Sequence, residues 1–405
     1  MDPERAAPRA TVEASNVIAM PPRQRGVDAS ATDKSLPRQV RRWSINGDFV
    51  TLNPNGVARY AREVTAALDA LMAQGHPLAR DLELDVVAPR PVDLGLRVIG
   101  TLVVPEYKRP RLPQFWVQMQ LPRHVPGGLL SFCNLAPVAV RRQIACIHDL
   151  HTRLMPESYG LGFRLAHRLI LPALGRRAAH ITTVSQLSRD HLASHGIAPA
   201  DKITVTYNGS DHARRWDASR STLAPTTGRA YVFCLGRDQG YKNLELLVRL
   251  ATVLDGMGLD LWMAGDAAED ALGRIERPVP QNIRLLGRIS DDDFKKALIG
   301  ALCFLFPSRI EGFGLPAVEA MASGCPVVAS TSPCLPEICG DAALYADPDD
   351  IDGWADAVRR LQVKPQMREA LVAAGHIRAA EYSWRGIAEI YLELMAKVDG
   401  QAMAQ

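Results

Sequence analysis

The chain is constrained most by an alternation of short apolar segments with helical segments, which runs through it twice. The first half contains seven candidate strands: WSINGDFV, LELDVVAP, RVIGTLVV, GGLLSFC, QIACIHD, HITTVS and KITVTYNG. The second half contains six more: AYVFCLG, LDLWMAG, NIRLLG, ALCFLFP, PVVAS and AALYAD. Amphipathic helical patterns separate several of them, such as GVARYAREVTAALDALMAQG, which Gly75 ends. Near-continuous apolar strands between helices predict parallel sheets covered on both faces, so we expect an α/β protein of two doubly wound, Rossmann-like domains.

The same pattern sets the expected domain boundaries. Residues 1–39 are rich in Ala, Pro, Arg and Ser without periodicity and are predicted to form a disordered tail. A first domain is expected over 40–218 and a second over 219–380, divided within the polar segment RRWDASRSTLAPTTGRA. Residues 381–405 hold one last helical pattern. In open parallel sheets ligands bind at the carboxyl ends of the strands, so the residues that follow each strand are the candidates for a site.

The composition favours a cytoplasmic globular protein. Hydrophobic residues make up 47% and charged residues 22% of the chain, and no apolar run reaches the roughly 20 residues of a membrane span. The N-terminal segment has no apolar core of the kind that a secretory signal needs. The seven cysteines form no CxxC pair and lie mostly in apolar runs. This pattern is typical of buried, reduced cysteines in a protein of a reducing compartment. A metal or redox site at Cys334 and Cys339 is a minor alternative, since no His or further Cys joins them.

The two halves of the chain differ in charge. Residues 40–218 carry 22 Lys and Arg against 14 Asp and Glu, a net +8, whereas residues 219–405 carry 19 against 25, a net −6. The difference is either a drift of surface charge or the mark of an anionic partner. Cations beside an apolar stripe in FRLAHRLILPALGRR favour peripheral contact with an anionic membrane, although a core-facing helix with a solvated basic side fits equally well. Nucleic acid is not an expected partner, because no basic patch is interleaved with aromatic residues.

Two carboxylates flank a turn in SRIEGFGLPAVEAMASG, which follows the predicted strand ALCFLFP. Pro316 is typical of a first helical turn, and Gly324 is typical of the position after a helix end. We therefore expect Glu311 in the loop and Glu319 in the first turn of the helix. The turn between them offers backbone N–H groups and the positive end of a helix dipole, which suit a phosphate or sugar hydroxyls.

Cations and a histidine follow other predicted strands. Arg237 and Lys242 lie in GRDQGYKN, ahead of a helix whose dipole disfavours them unless they neutralise an anion such as a diphosphate. His148 either bonds a substrate hydroxyl, with Asp149 orienting its ring, or simply caps a strand end. Gly56 lies between the first strand and the first helix, where a turn facing a phosphate is expected. The chain has no GxGxxG, Walker, HExxH or CxxC pattern, so neither NAD nor a metal is expected.

Eight segments, taken in order, carry a resemblance to a known family. They are NGVARYAREVTAALD, FCNLAPVAVRRQIACIHDLHTRLMPES, ITTVSQLSRDHL, ITVTYNGSD, LGRDQGYKNLELL, IRLLGRISDDD, FPSRIEGFGLPAVEAMASGCPVVAS and LPEICGDAALYADPDD. Together, over about residues 42–396, they resemble the retaining, nucleotide-sugar-dependent glycosyltransferases of group 1, which include bacterial mannosyltransferases of polysaccharide assembly. The resemblance implies the GT-B fold, in which two Rossmann-like domains face a cleft and a C-terminal helix crosses back to the first domain.

The resemblance also implies roles for individual residues. Glu311 would hold the hydroxyls of the donor sugar, and Glu319 would bind the ribose hydroxyls. Arg237 and Lys242 would bind the diphosphate and stabilise its departure, while His148 would contact the sugar near the reacting carbon. The other donor-binding positions are the first-domain loop, the segment beside the base and the turn after Glu311: Gly56, Arg288, Ile289, Gly312, Phe313, Gly314 and Leu315. The first-domain loop reads NPNG, where many relatives have two adjacent glycines.

These roles predict a retaining hexosyltransferase that needs neither metal nor cofactor. GDP-mannose is the favoured donor, with UDP-hexoses next, and the acceptor is a glycan or a polyprenyl-linked oligosaccharide of a cell-surface polysaccharide. One alternative is an epimerase or a phosphorylase on the same fold, although no residue marks the Schiff-base lysine of a phosphorylase. Another is a non-catalytic sugar-nucleotide-binding subunit, although both acids, both cations and the histidine are present.

Overall fold

The structure is a computed structural model, and it describes residues 40–107, 114–224, 228–236, 239–265, 273 and 279–403. The expected tail, residues 1–39, and Arg237 lie outside the described residues. Each of the apolar segments identified in the sequence contains a strand, and the strands form two separate parallel sheets. The expectation of an α/β protein with two doubly wound domains is therefore confirmed.

The first sheet has seven strands, all from the first half of the chain. They are β1 Arg41–Asn46, β2 Leu82–Ala88, β3 Gly100–Val103, β4 Gly128–Ser131, β5 Gln143–Cys146, β6 His180–Thr183 and β7 Ile203–Val205. Their order across the sheet is β3-β2-β1-β4-β5-β6-β7, so the strand order reverses between β1 and β4, which are parallel. Such a reversal opens a crevice at the carboxyl ends of the strands.

The second sheet has six strands and repeats this arrangement. They are β8 Ala230–Leu235, β9 Leu259–Ala264, β10 Ile283–Gly287, β11 Phe304–Phe306, β12 Val327–Ser330 and β13 Ala343–Ala346. Their order is β10-β9-β8-β11-β12-β13, with the reversal between β8 and β11. The loops that follow β8 and β11 are therefore neighbours at the carboxyl edge of this sheet.

Helices connect the strands and cover both faces of the sheets. Within the described residues they are α1 Gly56–Ala73, α2 His151–Leu154, α3 Leu161–Arg177, α4 Gln186–Ser194, α5 Leu244–Gly256, α6 Asp291–Gly300, α7 Leu315–Ala322, α8 Cys334–Cys339, α9 Ile351–Val363, α10 Pro365–Ala380 and α11 Trp384–Met403. Local signals fix their ends, as α1 shows: the Asn55 side chain accepts a hydrogen bond from the Ala58 N–H at 2.9 Å, and Gly75 ends the helix with φ +71°.

The last helix returns to the first domain, as the family resemblance implies. Helix α11 packs against α1, and its Asp399 accepts a hydrogen bond from the Trp43 indole at 3.0 Å in β1. The same carboxylate pairs with Arg41 and Arg142. One continuous hydrophobic cluster includes residues of both sheets and of α11, so the helix is part of the core that joins the domains.

Helix α7 contains one correction to the sequence prediction. Gly314, with φ +95°, precedes the helix, Pro316 lies in its first turn, and Gly324 follows its end with φ +75°, as expected. Because the helix begins at Leu315, however, Glu319 is its fifth residue and lies in the second turn. The expected place of Glu319 in the first turn is therefore wrong, so the helix N-terminus does not explain its buried position.

Candidate active site

The carboxyl edges of the two sheets meet at Gly312. A Cβ atom built on this glycine would lie 3.2 Å from Asp149 Cβ and 3.3 Å from the His148 carbonyl oxygen. The Ser188 hydroxyl also donates to the Gly312 carbonyl oxygen at 3.4 Å. A side chain at position 312 would press against this contact, so the glycine lets the loop after β11 approach the loop after β5. The two predicted halves of the site are thus brought together.

A second contact between the domains involves the N-terminus of α4. Glu337, from α8, accepts hydrogen bonds from the backbone N–H groups of Gln186 at 2.7 Å and Leu187 at 3.1 Å. A carboxylate suits the positive end of a helix dipole. The contact joins the two domains through α8 and α4.

Lys242 and Glu311 form an ion pair within the second domain. Lys242 Nζ lies 2.6 Å from Glu311 Oε1, and their side chains are only 16% and 11% exposed. Lys242 ends a short helical turn after β8, whereas Glu311 follows β11. Because β8 and β11 are adjacent in the sheet, the topology brings together two residues that lie 69 positions apart. A ligand that brings a negative charge to Lys242, or hydrogen-bond donors to Glu311, could replace this internal ion pair.

His148 is buried behind the meeting point, 5% exposed. Its Nε2 lies 2.7 Å from the Phe132 carbonyl oxygen, and its ring packs edge-on against Tyr60 with ring centroids 4.9 Å apart. Burial lowers the pKa of His148, but Cys146 and the Phe132 carbonyl raise it, to about 9. The expected orientation of the ring by Asp149 is not what the structure shows, since Asp149 Oδ1 accepts instead from the His151 N–H at 2.9 Å.

Glu319 is 5% exposed and is held by residues from outside its own domain. Its Oε1 lies 2.9 Å from His212 Nε2 and 3.4 Å from Arg59 Nε. Arg59 belongs to α1, and its guanidinium also binds both oxygens of Asp291, at 2.6 and 3.0 Å. Asp291 begins α6, directly after the segment predicted to lie beside the nucleoside base. The acid predicted to bind ribose is therefore anchored at the junction of the two domains.

The turn after Glu311 is buried. The Phe313 side chain is 3% exposed and packs edge-on against Tyr382, with ring centroids 5.4 Å apart. Helix α7 begins directly afterwards, and the first N–H groups of a helix have no acceptor within it. That Phe313, Gly314 and Leu315 contribute N–H groups to donor binding stays a prediction.

The remaining predicted positions lie at the ends of strands or helices. Gly56 is the first residue of α1, and a Cβ there would meet no described atom within 4 Å, so the position opens onto free space. Arg288 and Ile289 follow β10 and precede α6. Arg288 is exposed, whereas Ile289 is partly buried against the hydrophobic core.

Several residues near the site were not identified from the sequence. Arg59 lies near the start of a helix, where a cation is disfavoured by the dipole, and the reasoning applied to Lys242 would have singled it out too. Tyr159 was also missed: burial raises its pKa, and the carboxylates of Asp149 and Glu311 raise it further. His212 carries no such signal, since its partner Glu319 is 107 positions away.

The comparisons with known proteins agree with this geometry. The model of "Glycosyl transferases group 1" matches residues 217–378, and that of "Glycosyltransferase Family 4" matches residues 54–214. Together these matches span both sheets. The chain therefore belongs to the group 1 family of glycosyltransferases, and its fold is GT-B.

Two relatives are O-antigen chain mannosyltransferases. The chain is 31% identical over 261 residues to mannosyltransferase B of Escherichia coli, which covers 61% of this chain and 68% of the relative. It is 26% identical over 232 residues to RfbU of Salmonella typhimurium, which covers 56% and 62%. The chain thus spans about two thirds of the length of these relatives.

A solved structure shares the fold at low sequence identity. Sucrose-phosphate synthase from Thermosynechococcus elongatus superposes with a TM-score of 0.67 and 17% identity, over 89% of this chain and all of the other. At this level of identity the likeness concerns architecture alone.

Two features are absent from the described residues. Among them, no three His, Cys, Asp or Glu side chains are grouped so that they could hold a metal ion. All seven cysteines are free, including Cys334 and Cys339, which are buried in α8. None of the described helices is long and apolar enough to cross a membrane.

Proposed function

We propose that the protein transfers a hexose, with mannose favoured, from a nucleoside diphosphate sugar to a glycan or a lipid-linked oligosaccharide, with retention of anomeric configuration. The observation that carries this proposal is the Lys242–Glu311 pair beside the point where Gly312 meets His148 and Asp149. One cation and one acid of the second domain thus lie close to an imidazole of the first. That set suits an anionic leaving group attached to a sugar.

Each partner of the ion pair has a ligand counterpart. A diphosphate offers Lys242 the negative charge that Glu311 now supplies, and sugar hydroxyls offer Glu311 hydrogen-bond donors. Because both side chains are almost buried, their interactions with a ligand are stronger than on an open surface. Binding the donor would therefore exchange one internal contact for two contacts with the substrate.

The leaving nucleoside diphosphate would be stabilised by the protein without a metal ion. Lys242, together with Arg237 and the backbone N–H groups at the start of α7, supplies positive charge where the negative charge develops. His148 would contact the sugar near the reacting carbon. The bond between the anomeric carbon and the phosphate oxygen breaks as the acceptor oxygen attacks, and the departing phosphate takes the acceptor's proton.

The relatives support a donor and an acceptor class. Both O-antigen enzymes are mannosyltransferases of a cell-surface polysaccharide, which favours GDP-mannose and a growing glycan chain on a lipid carrier. UDP-glucose and UDP-galactose are the next candidates.

The decisive experiment is a transfer assay with defined donors. Purified protein should be stabilised against heat by one nucleotide sugar in a panel at saturating concentration. It should then transfer that sugar to a lipid-linked oligosaccharide in the presence of a chelator, and NMR of the product should show the anomeric configuration of the donor. Inversion, or loss of activity on chelation, would contradict the mechanism.

The same assay separates the alternatives. Isomerisation of the donor without an acceptor would identify an epimerase. Donor binding without transfer to any of a set of lipid-linked and soluble glycans, while Lys242 and Glu311 are intact, would identify a binding subunit.

A membrane-bound acceptor is also consistent with the exposed face of α3. Leu161, Leu165 and Leu169 are 79%, 58% and 65% exposed, and their spacing of four puts them on one side of the helix. The helix contains four arginines and no acid. Its core-facing side is formed instead by His167, Leu171, Leu174 and Gly175. A core-facing amphipathic helix therefore accounts for only one of its sides, and we propose that the other contacts an anionic bilayer.

This contact is tested by sedimentation with vesicles. We expect the protein to bind vesicles that contain phosphatidylglycerol but not vesicles of phosphatidylcholine alone, and to lose binding in Leu165→Glu/Leu169→Glu. Ile377→Glu is the matched control, since Ile377 is an exposed apolar residue, 70% accessible, on α10. Equal binding of all three proteins would overturn the proposal.

A further inference from the structure

The chain crosses between the domains twice, and the two crossings are hydrogen-bonded to each other. The first crossing follows β7, and the second leads from α10 into α11. The Ser210 N–H donates to the Tyr382 carbonyl oxygen at 2.9 Å, and the Trp384 N–H donates to Asp211 Oδ1 at 3.0 Å. Gly209 allows this approach, because a Cβ there would lie 2.5 Å from Trp384 N. The two crossings thus form one hydrogen-bonded hinge.

Two consecutive hydrogen bonds between side chains connect this hinge to Glu319. The Trp384 indole N–H donates to His212 Nδ1 at 3.0 Å, and His212 Nε2 lies 2.9 Å from Glu319 Oε1. An indole N–H can only donate, so Nδ1 must accept. The ring hydrogen is then on Nε2, which donates to the carboxylate. His212 is fully buried, so no solvent competes for these bonds.

We propose that His212 is a positioning residue that orients Glu319 toward the ribose of the donor, and that Trp384 sets the tautomer it needs. The inference rests on the proposed function, in which Glu319 binds the ribose hydroxyls. Both Arg59 and His212 approach Oε1, and the proposal assigns the other oxygen, Oε2, to the ribose. A carboxylate fixed through one oxygen loses less conformational freedom when the other binds.

The arrangement also ties the nucleoside side of the site to the sugar side. Trp384 packs edge-on against Tyr60, with ring centroids 5.7 Å apart, and Tyr60 packs against His148. The indole that fixes His212 therefore also supports the ring behind the predicted sugar site. A change in the hinge acts on both ends of the donor through this one side chain.

Variants of the two relay residues separate positioning from packing. His212→Phe keeps a planar ring but removes both nitrogens, whereas His212→Gln keeps an N–H donor. We expect His212→Phe to raise the KM for the donor and the Kd for GDP or UDP by about tenfold, with kcat changed by less than about threefold. Trp384→Phe should raise the donor KM and the nucleotide Kd by less, because the His212 ring remains in place and only the indole N–H that fixes its tautomer is lost. Recovery of most of the affinity in His212→Gln would support a donated hydrogen bond, and equal losses in Gln and Phe would overturn it.

A direct reading of the ring nitrogens tests the relay without any ligand. In ¹⁵N NMR of the full chain, His212 should show a protonated Nε2 and an unprotonated Nδ1, and Trp384→Phe should shift this balance. Protonation at Nδ1 in the wild type would overturn the inference. If the wild type bound no nucleotide at all, the proposed function would fail while the NMR result would still decide the relay. If it bound nucleotide and His212→Phe bound equally well, the positioning role alone would fail.

Discussion

The two domains share one strand order around the reversal, yet their carboxyl edges carry different chemistry. The edge of the second sheet bears paired charges: Lys242 with Glu311 at 2.6 Å, and Arg309 with Asp349 at 2.9 Å. At the edge of the first sheet the side chains are mostly buried hydroxyls, thiols and an imidazole. The same architecture thus carries two different sets of side chains at its two edges.

The first edge is built around a chain of hydroxyl groups behind His148. The Tyr60 hydroxyl bonds to the hydroxyls of Thr206 at 2.7 Å and Tyr391 at 3.0 Å, and Tyr391 bonds to Thr182 at 2.7 Å. Burial raises the pKa of both tyrosines, so they stay neutral. These buried hydroxyls satisfy one another and carry no charge, whereas the charged second edge suits an anion. From this difference we expect the anionic diphosphate of the donor to bind on the side of the second sheet.

The largest test of this division is Lys242→Ala. If Lys242 neutralises the leaving diphosphate, the variant should lose about 10²–10³-fold in kcat, because that charge acts where the transition state develops it. Activity is measured at saturating donor, and thermal unfolding checks that the fold survives.

Lys364→Ala is the matched control for Lys242. Lys364 is exposed, caps the N-terminus of α10 and is not part of the candidate site. It should retain wild-type turnover. Turnover close to normal in Lys242→Ala would remove the second edge from the chemistry.

The next test compares the two acids of the stretch after β11. Glu311→Ala should lower kcat by about 10²-fold and leave the Kd for the free nucleoside diphosphate within about threefold. Glu319→Ala should do the reverse: the Kd for the nucleoside diphosphate should rise by about tenfold, because a charged hydrogen bond to the ribose is lost. Calorimetry with GDP and UDP, beside kinetics, measures both.

Glu369→Ala, at an exposed position, serves as the control for both acids. Parallel losses of turnover and nucleotide affinity in the two variants would mean that the acids do not divide the ligand between sugar and ribose.

Much of the fold could be predicted because its signals are local. The apolar segments, Gly75 after α1, and Pro316 and Gly324 at the ends of α7 each act within a few residues of the feature they determine. The turn assigned to Glu319 was wrong for a related reason. The start of α7 is set by the left-handed backbone of Gly314, and the sequence pattern did not reveal which glycine adopts it.

The site was less accessible because its contacts join distant segments. Searching the ends of strands found Lys242, Glu311 and His148, since parallel sheets collect such residues at one edge. His212 could not be found in this way, because it lies in the crossing between the domains and acts on Glu319 only once the hinge has formed. Contacts made by a hinge leave no periodic pattern in a sequence.

The smallest expected effect separates the edges by stability instead of activity. Asp48 follows β1 at the first edge, and burial raises its pKa to about 7, against hydrogen bonds from Cys133 and the Phe49 N–H. The folded protein therefore holds a proton that the unfolded chain releases near pH 3.8. The stability contributed by the protonated group is present below about pH 4 and is lost as the pH rises to about 7.

Asp48→Asn removes this loss. Relative to wild type, its free energy of unfolding should rise between about pH 4 and pH 7 by about 1–3 kcal/mol, since each pKa unit corresponds to about 1.36 kcal/mol and the side chain is only partly buried. Urea denaturation across this range measures the difference, and the exposed Asp190→Asn should show none.

Glu311→Gln should instead destabilise the protein at pH 7, because it leaves Lys242 without its partner. Effects of the same sign would mean that the two edges handle buried charge alike, whereas opposite signs would establish that only the second is built to hold it.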